Sequence, residues 1–253
     1  MEIDLKDIKV IGFDADDTLW VNETYFRQAE EEFAKLLAPY ETANQIDQEL
    51  FKKEIENLEL YCYGVKGFVL SMVECAIELS NGTVSNHVIE SILGIGKDML
   101  DKPVELLDGV EDTLKKVSEE FKIVLVTKGD LLDQERKLKK SGLLKYFHHI
   151  EIVSDKKEDN YRRLISSLDI APEQFLMVGN SLKSDILPLI QIGAKAIHIP
   201  FHTTWIHEEV EDRHLQNLKY HTLKNISQIQ SLLKPKNMNT PQSRRTLKDT
   251  PRI

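Results

Sequence analysis

The chain has 253 residues, 41% of them hydrophobic and 30% charged, enough for a well-buried core in one large domain or two unequal ones. A net charge of -9 argues against non-specific nucleic-acid binding, which needs a basic face. No apolar run reaches the length of about 18 residues that spans a bilayer, and MEIDLKDIKV lacks the basic and apolar regions of a leader, so a soluble cytoplasmic protein with no membrane partner is expected.

The first predicted strand is IKVIGF (8–13), and it runs into Asp14, Asp16 and Asp17. Residues 21–102 lack a convincing strand and read as helix, with Tyr25, Ala29, Phe33 and Leu36 on one face and further apolar helical surface from Phe68 to Leu79. A crossover this long far exceeds the usual βα loop of about 2–6 residues, so an inserted helical domain is expected. Cys62 and Cys75 lie within it, outside any CxxC pair, and are expected as reduced thiols.

Beyond the insertion, strands are predicted at KIVLVT (122–127), HIEIV (149–153), FLMVG (175–179) and AKAIHI (194–199). Helical patterns alternate with them over 131–141, 160–168 and 184–192, the first and last stopping at Gly142 and Gly193. Near-continuous apolar strands alternating with helices give an α/β fold: a Rossmann-like, doubly wound parallel sheet. The expected division is a discontinuous core of residues 1–20 and 103–231, a helical insertion of 21–102, and a basic tail of 232–253.

In a parallel sheet, ligands sit at the carboxyl ends of the strands. Those ends here carry Asp14-Ala15-Asp16-Asp17-Thr18, Thr127-Lys128-Gly129-Asp130, Ser154-Asp155-Lys156-Lys157 and Gly179-Asn180-Ser181, with Asp185 shortly after. One edge therefore gathers acids, a hydroxyl, an ammonium and an amide.

In order and strand context these residues resemble the four motifs of the haloacid dehalogenase-like (HAD) phosphohydrolases: DADDT at 14–18, Thr127, Lys156 and GNSLKSD at 179–185. The resemblance implies that the insertion is a C1 cap and that the chain is a phosphatase acting on a small phosphorylated metabolite. It implies Asp14 as nucleophile, Asp16 as the acid that protonates the leaving alcohol and then activates water, and Thr127 with the following N–H groups as the phosphate holder. Lys156 would offset the charge of Asp14 and the phosphate. A carboxylate and a phosphate charge 4 Å apart repel by roughly 4 kcal/mol at an effective dielectric of about 20, so counter-charge is required. Mg²⁺ is the implied cofactor, held by the Asp14 side chain, the Asp16 carbonyl and the last motif.

Two departures matter. Asn180 stands where the family usually has Asp, which removes one negative charge and predicts weaker metal binding, leaving Asp185 as the expected anionic contributor. Lys128 replaces the Asn common after the motif threonine and is expected as an added cation near the phosphate or the cap. Lys156 is preferred to Lys157 on its spacing to Tyr161, and Tyr61, Tyr63 and Lys66 are candidate cap contacts with substrate.

Other readings fall short. A calcium loop from Asp14 would have Leu19 and Tyr25 where Gly and Glu are required. GIGK (94–97) lacks the first P-loop glycine and is followed by Asp98 where Ser or Thr is needed, and His198, His202 and His207 have no Cys or carboxylate at zinc-ligand spacing. Asp16 argues against dehalogenase and phosphonatase chemistry, whereas a phosphomutase of the family, or a non-catalytic binding relative suggested by Asn180, remain alternatives.

Overall fold

The computed structural model describes residues 5–211, 215 and 218–232. The expected tail from Lys234 onward lies outside the described residues.

Strand β1 (Val10–Phe13) is buried along its whole length and sits in the middle of a six-stranded sheet. Its neighbours are β2 (Lys122–Lys128) and then β3 (His149–Val153) on one side, and β4 (Phe175–Gly179), β5 (Lys195–His198) and the short β6 (His221–Thr222) on the other. Every pairing is parallel. Alternation along each strand divides the core. Ile11, Phe13, Ile123, Leu125, Leu176 and Val178 face a layer that includes Val110, Leu114 and Val117 of helix α5 (Val110–Glu120), the fifth helix along the chain. Val10, Val124, Val126, Phe175 and Met177 face Tyr161, Leu164 and Ile165 of the helix Glu158–Ser167. A sheet covered on both faces is the doubly wound α/β fold expected from the strand pattern.

Five of the six strands fall where the apolar runs predict them. The sixth, β6, has two residues, too short for any periodic signal. Helix α5 was also not anticipated, although Val110, Leu114 and Val117 recur at helical spacing within it.

Between β1 and α5 the chain forms α1 (Glu23–Leu37), α2 (Ala43–Tyr61), α3 (Val65–Leu79) and α4 (Asn86–Asp101). These four helices have a core of their own, built from Phe33, Leu37, Ile46, Leu50, Phe68, Met72 and Ile92. GIGK lies inside α4, so it forms no phosphate loop. Cys62 is exposed, Cys75 buried, and both are free thiols.

Among the described residues, β2 is followed by α6 (Leu131–Ser141), α7 (Glu158–Ser167), α8 (Leu187–Gln191) and a last short helix, Ile229–Leu232. The expected helix over 184–192 is broken in two. A π-helical turn, Leu182–Ile186, precedes α8, whose first turn contains Pro188. Proline has no N–H to continue an α-helical ladder, and a widened turn places Ser184 and Asp185 back against the strand ends.

Candidate active site

The acidic turn after β1 is folded so that its three carboxylates point to different partners. Asp14 is 5% exposed; its Oδ2 accepts from Thr18 Oγ1 at 2.9 Å, and its Oδ1 is contacted by the Lys156 ammonium. Asp16 reaches the other way. Trp20 Nε1 donates to its Oδ1 at 2.7 Å, Lys137 Nζ to the same oxygen at 2.6 Å, and Gln134 Nε2 to Oδ2 at 2.7 Å. Asp17 is buried in the left-handed region at φ 59°, which a short polar side chain tolerates better than most. Its carboxylate accepts the N–H groups of Asn22 at 2.8 Å and Glu23 at 2.9 Å, two donors that the start of α1 would otherwise leave unpaired. Asp17 thus braces the turn into the insertion and does not face solvent. Burial, with Asp16 nearby, pushes its pKa up to about 8 against the pull of those two N–H groups.

Lys156 is 3% exposed, and its ammonium bridges Asp14 and Asp185, the latter at 2.7 Å. Burial opposes the charge, but the two carboxylates hold the ammonium above the usual lysine range. Lys157, by contrast, turns outward to Asp155 with its side chain 78% exposed. Burial raises the Asp14 carboxyl, Lys156 pulls it back, and the charges of Asp185 and Asp16 raise it further. Three buried charges so arranged cost several kcal/mol each in desolvation, an expense that function explains better than stability does.

The last motif completes the edge. Gly179 ends β4, and a Cβ there would lie 2.3 Å from the Asp185 carboxyl, so the strand must end in glycine for Asp185 to approach. Asp185 Oδ2 accepts Ser181 N–H at 3.1 Å, which leaves both its oxygens engaged. Asn180 Oδ1 lies 3.3 Å from Thr18 Oγ1, the hydroxyl that also touches Asp14. Thr127 is buried, with only a 3.5 Å contact from its hydroxyl to the Lys128 carbonyl. The predicted residues of all four motifs therefore line one cavity of about 180 Å³.

This donor set suits a hard divalent cation. The Asp14 carboxylate and the Asn180 amide oxygen share one hydroxyl neighbour, both are oxygen ligands, and burial disfavours the charge on Asp14 that a cation would stabilise. Among the described residues, no group of three or more His, Cys, Asp or Glu side chains forms a metal cage. The ion would therefore draw its remaining ligands from the amide, backbone oxygen, water and phosphate. The histidines are engaged elsewhere: His198 with the Asn180 carbonyl, His202 with Thr203 and His207 with Lys183.

Lys128 is less free than its sequence position suggests. Its ammonium is paired with Glu208, donates to Ser184 Oγ at 3.0 Å, and sits 4.0 Å from the centre of the Tyr63 ring. Tyr61 and Tyr63 line the cavity, whereas Lys66 does not line it and is paired with Asp130 of its wall at 2.9 Å. Four contributors escaped the sequence reading: Gln134 and Lys137 on α6, which hold Asp16, and Trp205 and Glu208 after β5. The first two had a signal, since the first turns of a helix that follows a parallel strand lie beside the ligand edge. The other two come from a segment without regular periodicity.

The insertion supplies the far wall through Glu23, Phe26, Glu30, Glu54 and Phe68. Burial pushes Glu23 up to about 7 against Arg27, and burial with Glu30 and Glu23 pushes Glu54 up to about 8.

Comparison with known proteins agrees with this fold. Residues 8–193 match the family model of haloacid dehalogenase-like hydrolases. N-acylneuraminate-9-phosphatase of Mus musculus is 26% identical over 215 residues, covering 81% of this chain and 84% of the relative. The Homo sapiens protein of the same name is 24% identical over the same extent. A haloacid dehalogenase-like family hydrolase from Xanthomonas campestris superposes with a TM-score of 0.80 at 36% identity, over 92% of this chain and 94% of that one. A HAD-hydrolase from Bacillus subtilis bound to magnesium shares the fold, with a TM-score of 0.61 at 16% identity over 89% and 98% of the two chains. No helix among the described residues is long and apolar enough to cross a membrane. With its motifs gathered at the carboxyl ends of a parallel sheet and the family model matched across most of its length, this chain belongs to the haloacid dehalogenase-like hydrolases.

Proposed function

We propose that this hydrolase is a Mg²⁺-dependent phosphatase that cleaves a small phosphorylated metabolite through an aspartyl-phosphate on Asp14, with the helical insertion as its cap. The observation that carries the reading is the Lys156 ammonium bridging Asp14 and Asp185 beside Thr127 and Asn180. A buried acid pair can relieve its repulsion by holding a proton, whereas a nucleophile that meets a dianion must be ionised, and the ammonium favours that form.

In the first step Asp14 attacks phosphorus, the bond to the leaving oxygen breaks, and Asp16 delivers the proton that oxygen requires. In the second step water attacks the acyl phosphate, Asp16 takes the proton, and inorganic phosphate leaves with Asp14 regenerated. Thr127 hydrogen-bonds a phosphate oxygen, and Lys156 balances the charge that builds up on Asp14 and the phosphoryl group. Gln134, Lys137 and Trp20 fix the direction of the Asp16 carboxylate. Mg²⁺, held by Asp14, the Asp16 carbonyl and Asn180, would supply charge neutralisation for the phosphoryl oxygens. The cap excludes water from the first step and reads the rest of the substrate.

The test is release of phosphate from an aryl phosphate with and without Mg²⁺, followed by a panel of phosphorylated metabolites. N-acylneuraminate 9-phosphate belongs in that panel because of the relatives' activity. Turnover that needs the metal and disappears in Asp14→Asn, with the fold intact by circular dichroism, supports the reading. Turnover that survives Asp14→Asn overturns the nucleophile, and a chain inert to every ester and metal concentration is a binding relative.

A further inference from the structure

The segment Thr203–Glu208 follows β5 and returns to the cavity, where Thr203, Thr204, Trp205 and Glu208 form part of the wall. Glu208 Oε1 is paired with the Lys128 ammonium, and its Oε2 accepts the hydroxyls of Ser181 and of Ser184, the latter at 2.6 Å. Burial alone would raise this carboxyl, yet Lys128 and the two serines hold it down at about 2. Ser181 and Ser184 lie within the turn between Asn180 and Asp185, so Glu208 is tied directly to the last motif.

The same cluster reaches the helical insertion. Tyr63 lies over the Lys128 ammonium at 4.0 Å, and Trp205 meets Tyr63 edge-on at 6.1 Å and Phe51 at 6.4 Å. An ammonium has three protons. Two are committed to Glu208 and Ser184, and the face of Tyr63 is a third favourable neighbour. Such a cluster specifies one arrangement of the parts it joins more than it adds stability.

We propose that Lys128 and Glu208 are a positioning pair that fastens the insertion to the strand-end motifs, through Tyr63 above and Ser181 and Ser184 below, and that Lys128 serves this contact in place of ligating phosphate. The inference rests on the cavity being the phosphoester site, and it locates the closing contact of that site in residues outside the four motifs.

The test uses the full-length protein and two readouts, one of which needs no turnover. Trp20 is fully buried, so acrylamide quenching reports Trp205. Glu208→Gln, Lys128→Met and Tyr63→Leu should each open Trp205 to the quencher, and the Lys128→Met/Glu208→Gln double variant should behave like either single. Tyr63→Leu removes the contact from the insertion side and keeps the test usable if a charge variant does not fold. In steady-state assays with an aryl phosphate, Glu208→Gln should raise KM by about tenfold, the scale of one lost hydrogen bond to a charged group, with a smaller change in kcat. Lys128→Arg should recover part of that loss. Trp205 protection equal to wild type in all three single variants overturns the pair. So does a Lys128→Met variant that loses affinity for inorganic phosphate by calorimetry while Glu208→Gln keeps it, since Lys128 would then be a phosphate ligand. An inert wild type counts against the proposed reaction alone, because quenching still decides this contact.

Discussion

The cavity has two walls that treat charge differently. On the core wall every ammonium has an assigned carboxylate: Lys156 with Asp14 and Asp185, Lys137 with Asp16, Lys128 with Glu208. On the insertion wall Glu23, Glu30 and Glu54 are all raised, burial being the largest cause for each, with Arg27 their nearby cation. The core wall carries charges paired one against another, as the proposed reaction requires. The insertion wall carries carboxyls that burial pushes toward their protonated, neutral form.

The largest way to break this contrast is to remove the cation at the centre of the matched wall. Lys156→Met leaves Asp14 and Asp185 buried without their counter-ion, and should cost about 3–5 kcal/mol in urea unfolding together with essentially all turnover. A variant of near wild-type stability would mean that the core acids are not held as an ion-paired set. Lys137→Met is milder. Asp16 keeps Trp20 and Gln134 but loses its charged anchor, so kcat should fall by about a hundredfold or less, within the range a positioned acid–base group supplies. An unchanged kcat would show that Asp16 acts from another orientation.

The smallest effect belongs to the insertion wall and depends on pH. Glu54 has an ordinary pKa of 4.5 and is raised to about 8 in the folded chain by burial, then by Glu30 and Glu23. Below 4.5 both folded and unfolded states hold the proton, and this group contributes no pH dependence. Between there and about 8 the unfolded chain has released a proton that the folded chain keeps, so stability falls as pH rises across that window. Glu54→Gln should remove this slope and leave the variant more stable than wild type at pH 8. Melting curves at pH 5 and pH 8 measure it; parallel losses in both proteins would place the sensitivity elsewhere.

The same division governs how much the sequence reveals. The core wall is legible because a parallel sheet brings strand ends together whatever the intervening chain does. Asp14, Thr127, Lys156 and Asn180 could thus be assigned to one edge from apolar runs and the residues that follow them. The preference for Lys156 over Lys157 rests on its spacing to Tyr161, and of the two Lys156 is the buried one and Lys157 the exposed one. The grip of Asp17 on the first N–H groups of α1 depends on a left-handed turn that no pattern announces. The insertion wall is legible only in part: Tyr61 and Tyr63 can be read as contacts, whereas Glu23, Glu30 and Glu54 cannot. Amphipathic periodicity fixes which residues of α1 to α4 face inward together, and says nothing about which outward residues face the core. Trp205 and Glu208 lie in a segment with no period at all, so only tertiary structure shows that they meet Tyr63 and Lys128.

The central claim is that Asp14 carries the phosphoryl group between the two steps. Rapid acid quench during turnover, followed by peptide mass spectrometry, tests it directly. The account predicts a peptide containing Asp14 heavier by one phosphoryl group, present with Mg²⁺ and substrate and absent from Asp14→Asn. A phosphoryl group found on a different residue during turnover would contradict it.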